Sequence, residues 1–133
     1  MENVLNATKD VHVIRDATRG GVGTVLYEIA RESSVGIEIS YEDVPIANEV
    51  KGVTGLLGLE PLYLACEGRM VIIVPKEKEK VVLEALKNSP YTEGAKTIGK
   101  ITNDHVGRVV MTTSIGAQTI LPKPGNELLP RIC

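Results

Sequence analysis

The sequence predicts an α+β domain in which a mixed β-sheet carries helices packed on one face. Three observations lead there. Val22, Val25, Leu26, Ile29 and Ala30 recur at the spacing of one helix face. Ile37, Ile39 and Tyr41 alternate with Glu38, Ser40 and Glu42, the period of a strand with one buried side. From Thr97 onward, short β-favouring runs are separated by breaks rich in Gly, Asn and Asp.

Taken in order, Met1 to Asp10 is polar and aperiodic, as expected of a linker or boundary (residues 1–10). Val11-His12-Val13-Ile14 reads as a short strand. The helix beginning after Gly21 runs to about Ser34, where Gly36 is expected to stop it, and the alternating strand follows. Pro45 breaks that strand, and Asn48 is placed to cap a second helix through Val50, Val53 and Leu57, weakened by Gly52, Gly55 and Gly58. Leu62 to Cys66 and Arg69 to Val74 read as two strands around Glu67-Gly68, a gap that fits a tight hairpin. The second run is almost continuously apolar, which suggests a central strand covered on both faces. Lys76 to Asn88 is expected to be a helix, with Val81, Val82, Ala85 and Leu86 inward and its charges solvated. Strands are expected over Thr97 to Ile101, Arg108 to Thr113 and Gln118 to Leu121. A single domain then covers residues 11–121, followed by a tail over residues 122–133 whose Pro122-Lys123-Pro124-Gly125-Asn126 breaks any regular element.

Composition limits the possibilities. With 133 residues, 43% hydrophobic and 24% charged, the chain suits one soluble globular domain. It has no Phe or Trp and four Tyr, so the core must be built from Val, Ile and Leu. A net charge of −2 and the lack of aromatic stacking platforms disfavour nucleic-acid binding. No run is long enough to span a bilayer and no secretory leader is present, so no membrane role and a cytoplasmic location are expected. Neither histidine, His12 or His105, has metal-site spacing to a cysteine, and no metal site is expected.

Two segments and one terminal residue carry chemical interest. Asp16-x-Thr18-Arg19-Gly20-Gly21-Val22-Gly23 places three glycines at a helix start. Such a start attracts anions through its free N–H groups, glycines admit a close ligand, and Arg19 adds a planar donor. Equally, Asp16 or Thr18 would only cap the helix while the glycines permit close packing. Glu67 is either an exposed turn residue or, at the rim of the sheet, a general base for a substrate brought to it. Cys66 beside it reads as a small strand hydrophobe. Cys133 ends the chain, and roughly twelve tail residues at about 3.3 Å each would carry its sulfur some 35–40 Å. Its thiol is incidental or reactive, according to whether its thiolate is populated.

Several stretches resemble the C-terminal half of the HypE family of hydrogenase maturation proteins, within the broader aminoimidazole ribonucleotide synthetase superfamily. They are Asp16-x-Thr18-Arg19-Gly20-Gly21, Leu57-Gly58-Leu59-Glu60-Pro61-Leu62-Tyr63-Leu64-Ala65-x-Glu67-Gly68, Ile98-Gly99-x-Ile101, Gly107-Arg108-Val109-Val110 and Leu129-Pro130-Arg131-Ile132-Cys133. The resemblance implies the C-terminal domain of a PurM/AIR synthetase-like fold with a flexible tail. It also implies a two-step chemistry. The carbamoyltransferase HypF would place a carbamoyl group on Cys133, and ATP-dependent dehydration would convert that carboxamide to a thiocyanate. The cyanide would pass to iron held by a HypC–HypD complex, for the [NiFe]-hydrogenase centre. Glu67 would assist proton removal, and Asp16, Thr18, Arg19, Gly20 and Gly21 would bind substrate or phosphate. ATP with Mg2+ would sit mainly in an N-terminal domain preceding residue 1, which also forms a homodimer, so the chain by itself is not expected to turn over ATP. Where the family commonly carries Asn before the Glu-Gly pair, this chain has Cys66. Two other readings stand beside this one: a different ATP-dependent enzyme of the superfamily, and a non-enzymatic module docking through Leu128, Leu129 and Ile132.

Overall fold

The computed structural model describes residues 2–125. The chain order is α1 (Glu2–Ala7), β1 (Val13–Asp16), α2 (Gly21–Glu32), β2 (Gly36–Ser40), α3 (Asn48–Leu57), β3 (Met70–Ile73), α4 (Glu79–Lys87), β4 (Gly99–Thr102), β5 (Val109–Thr112) and β6 (Gln118–Ile120). Short 3-10 turns at Tyr41–Asp43, Pro61–Tyr63 and Lys76–Lys78 link some of them. The α+β class holds.

The apolar stripe of α2 organises the core. Val22, Val25, Leu26, Ile29 and Ala30 are all buried, together with Ile37 and Ile39 of β2, Val109 and Met111 of β5, and Val71 of β3. Burying such side chains contributes about 1.5–3 kcal/mol each, which is how a core without Phe or Trp holds. The helix ends at Glu32, and the left-handed residue that stops it is Ser34, two positions before Gly36. Ser34 adopts φ 51°, Ser34 N–H donates to Arg31 O at 3.3 Å and Val35 N–H to Ala30 O at 3.0 Å. This is a left-handed terminator built on serine. Gly36 opens β2 instead.

The strands divide between two sheets. The four-stranded sheet has the order β4-β2-β5-β6, with β2 and β5 parallel at its centre and antiparallel strands outside. Val109, Val110 and Met111 are consecutive and all buried, so β5 is the strand covered on both faces. That place had been expected for Arg69–Val74. Instead β3 pairs antiparallel with β1 in a two-stranded sheet, from Val13 opposite Ile73 to Asp16 opposite Met70.

The Leu62–Cys66 strand does not form. Pro61 starts a 3-10 turn, and the Glu60 carboxylate accepts a hydrogen bond from Leu62 N–H at 3.3 Å, turning the chain where a strand would extend. Glu67-Gly68 is a turn as expected, but its upstream arm leads away from β3. The first strand begins two residues later than its apolar run, at Val13, because the register with β3 sets its bounds. Asn48 is the first helical residue of α3, and Ala47 occupies the capping position.

Residues 2–7 are helical rather than linker-like. Val4 is fully buried where α1 packs against α4, and Asn3 Nδ2 donates to Ser89 Oγ at 2.5 Å. Six residues are too few to show periodicity, and such a helix is held by its neighbour rather than by propensity.

Candidate functional site

The two segments singled out in the sequence meet. Beyond the last β1–β3 pair, Ala17 bridges both ends of the Cys66–Arg69 turn: its N–H donates to Arg69 O at 2.9 Å and its carbonyl accepts from Cys66 N–H at 3.1 Å. Ala17 is completely buried, as a residue clamped on both sides must be. Asp16, Thr18 and Arg19 are therefore carried against the turn that holds Cys66 and Glu67. Asp16, Arg19 and Glu67 are exposed, while Thr18 and Cys66 are half-buried. Arg69 fixes the far side of the turn by donating from Nη1 to the carbonyl of Pro45.

Neither Asp16 nor Thr18 caps α2. Thr18 Oγ1 donates to Asp16 Oδ2 at 3.1 Å, the capping position is Gly20 at φ 65°, and no side chain bonds the helix start. An uncapped start leaves backbone N–H groups without intrahelical partners. With Arg19 two residues before the helix in sequence, this donor set suits a single anionic group such as one phosphoryl. The glycines also serve packing. A Cβ on Gly21 would stand 2.4 Å from Leu62 O and 2.5 Å from Leu64 O, and one on Gly23 would stand 2.9 Å from Cε1 of Tyr63. The start of α2 is thus pressed against the chain that leads to Glu67.

A third segment arrives from the far end of the sequence. Leu121 is buried and its N–H donates to Val109 O at 2.8 Å, and the next carbonyl, that of Pro122, accepts the Tyr63 hydroxyl. Tyr63 and Pro122 had no part in the expected site. The signal available was the proximity of Tyr63 to Glu67 in sequence, but its partner lies fifty-nine residues away. Cys133, with Leu128, Leu129 and Ile132, lies outside the described residues.

Away from this cluster, burial, then the Glu60 and Glu42 carboxylates, push the Tyr41 phenol above its ordinary value. Among the described residues no three His, Cys, Asp or Glu side chains form a group that could hold a metal, and no helix is long and apolar enough to cross a membrane. A hollow of about 390 Å³ lined by Asp43, Leu83, Lys87 and Glu93 includes none of the candidate residues.

Comparison with known proteins gives this cluster a context. The chain is 39% identical over all 133 residues to the carbamoyl dehydratase HypE of Rhodobacter capsulatus, and spans 39% of that protein. A crystal structure of hydrogenase maturation protein HypE in complex with ATP superposes with a TM-score of 0.89 at 38% identity, over 99% of this chain and 40% of that one. A HypE–HypF complex gives a TM-score of 0.86 at 35% identity, over 92% of this chain and 40% of that one. The chain therefore spans about two fifths of the length of the curated relatives it matches. Residues 2–112 match the family described as AIR synthase related protein, C-terminal domain. With that match covering most of its length and the same fold in its relatives, the chain belongs to the AIR synthase related C-terminal domain family.

Proposed function

We propose that this chain is the substrate-bearing C-terminal part of an ATP-dependent carbamoyl dehydratase acting in [NiFe]-hydrogenase maturation. The observation that carries the reading is the 39% identity to a protein of that activity, which runs through the last residue and so includes Cys133. The Cys133 thiolate accepts a carbamoyl group, and the resulting S-carboxamide becomes a thiocyanate. In that step the carbon–sulfur bond is kept, the carbon–oxygen bond breaks, and the two nitrogen protons leave. ATP supplies the phosphoryl group that carries the oxygen away as phosphate.

This chain's residues divide the remaining work. Glu67, exposed on its turn, takes a nitrogen proton as general base. Arg19 and the N–H groups at Gly20 and Gly21 hold the phosphoryl oxygens, and the Thr18 hydroxyl, whose proton goes to Asp16 Oδ2 when no anion is bound, turns that proton to the phosphoryl group on binding. Residues 11–121 form the body of the domain, residues 1–10 complete it at its boundary through α1, and residues 122–133 bear the substrate.

The partners in this reading are HypF, which delivers the carbamoyl group, and the HypC–HypD complex, which receives the cyanide. A HypE–HypF complex among the similar structures supports the first. Mg2+ accompanies ATP, the full-length protein is a homodimer, and the reaction takes place in the cytoplasm.

Intact-mass spectrometry of the full-length protein, incubated with the carbamoyltransferase, carbamoyl phosphate and ATP, tests the reading. Cys133 is expected to gain one carbamoyl group and then lose one water, with neither change in Cys133→Ser. A wild-type protein that stays unmodified overturns it.

A further inference from the structure

One side chain ties together the three segments of the candidate site. The Tyr63 ring lies on Gly23 at the start of α2, Tyr63 stands four residues before Glu67, and its hydroxyl donates to the carbonyl of Pro122. Resting on the reading of Cys133 as the tethered substrate, we propose that Tyr63 is a positioning residue: it pins the root of the arm that presents the Cys133 carboxamide to the site.

Among the described residues, the chain at this root is held at Leu121 and Pro122. The sheet ends with β6 at Ile120, and Leu121 is fixed by its buried side chain and its bond to Val109 O. Pro122 has no N–H, so its carbonyl is the one backbone group it can offer, and that carbonyl is the group Tyr63 engages. Lys123 and Gly125 beyond it are exposed. Eleven residue steps separate Pro122 from Cys133, a reach of at most about 36–40 Å when extended.

For a reactant on the same chain, rate depends on its effective concentration at the site, which is set by the place and direction from which the arm departs. Tyr63 fixes both against the very elements that carry Arg19 and Glu67. Freeing the Pro122 carbonyl leaves the arm able to start from Leu121 in many directions. The chemistry at Glu67 is untouched, but the carboxamide reaches it less often.

Tyr63→Phe in the full-length protein keeps the ring on Gly23 and removes only the hydroxyl. Two readouts are taken. In nitrogen-15 relaxation, order parameters of the Lys123 and Gly125 amides are expected to fall towards about 0.6 or below, the range of flexible backbone, while that of Leu121 stays high. In single-turnover intact-mass kinetics starting from carbamoylated protein, the rate of water loss at Cys133 is expected to fall by roughly three- to ten-fold. Unchanged order parameters, or an unchanged rate of water loss, overturn the positioning role. Wild-type protein that never loses water from Cys133 refutes the dehydratase reading instead, and that outcome is seen without any variant.

Discussion

Gly21 and Gly52 both lie in helices, yet they respond oppositely to a methyl group. Gly21 has φ 63° and a Cβ there would press on two backbone carbonyls that cannot move aside, whereas a Cβ on Gly52 meets nothing within 4 Å. Gly21→Ala is expected to cost about 3 kcal/mol or more, from left-handed strain and overpacking together. Gly52→Ala is expected to gain about 0.5–1 kcal/mol by restricting the unfolded chain and favouring the helix. Thermal unfolding of the two variants checks this: the first should melt about 10 °C lower and the second a few degrees higher. A Gly21→Ala protein as stable as the parent removes the close approach between α2 and Leu62–Leu64. In the sequence Gly21 was expected to admit a close ligand or close packing and Gly52 only to weaken its helix, but spacing gave neither its neighbours. Which one matters depends on what lies opposite, and that is absent from local spacing.

At the scale of the element, legibility followed length and periodicity. Five apolar positions in step identified α2, and alternation identified β2, because the two sides of each differ in exposure along the run itself. Short elements failed that test. Leu62 to Cys66 has the composition of a strand, but Pro61 and the Glu60 carboxylate commit it to a turn. Residues 2–7 look like linker, but α4 gives them a surface. Val4→Ala is therefore expected to destabilise the domain by about 1–3 kcal/mol, the range for a small cavity in a buried site. Chemical denaturation measures it, and a loss below about 0.5 kcal/mol would mean that α1 is not packed as described.

At the scale of the whole molecule, the site exists only because residues 16–23, 60–69 and 121–122 converge. Glu67→Gln probes the assembled site, since it keeps size and turn while removing the carboxylate proposed as the base. Carbamoylation of Cys133 is expected to proceed at the parent rate and water loss to drop by about 10²-fold or more, the scale of general base catalysis. Mass spectra of the two steps separate these effects, and normal dehydration in Glu67→Gln removes Glu67 from the chemistry.

By itself the sequence determined the α+β class, the long helix, the alternating strand β2, and the residue types with chemical potential at Asp16–Gly21, Glu67 and Cys133. Each is written in local composition and spacing, which the chain obeys wherever it folds. Tertiary structure alone decided that β3 pairs with β1 rather than with its neighbour in sequence, that Ala17 clamps the Glu67 turn, and that Tyr63 reaches Pro122. The physical reason is that a hydrogen-bonding edge, or a backbone carbonyl, accepts any partner of the right geometry. Only packing α2 against two sheets at once selects which distant segment supplies it.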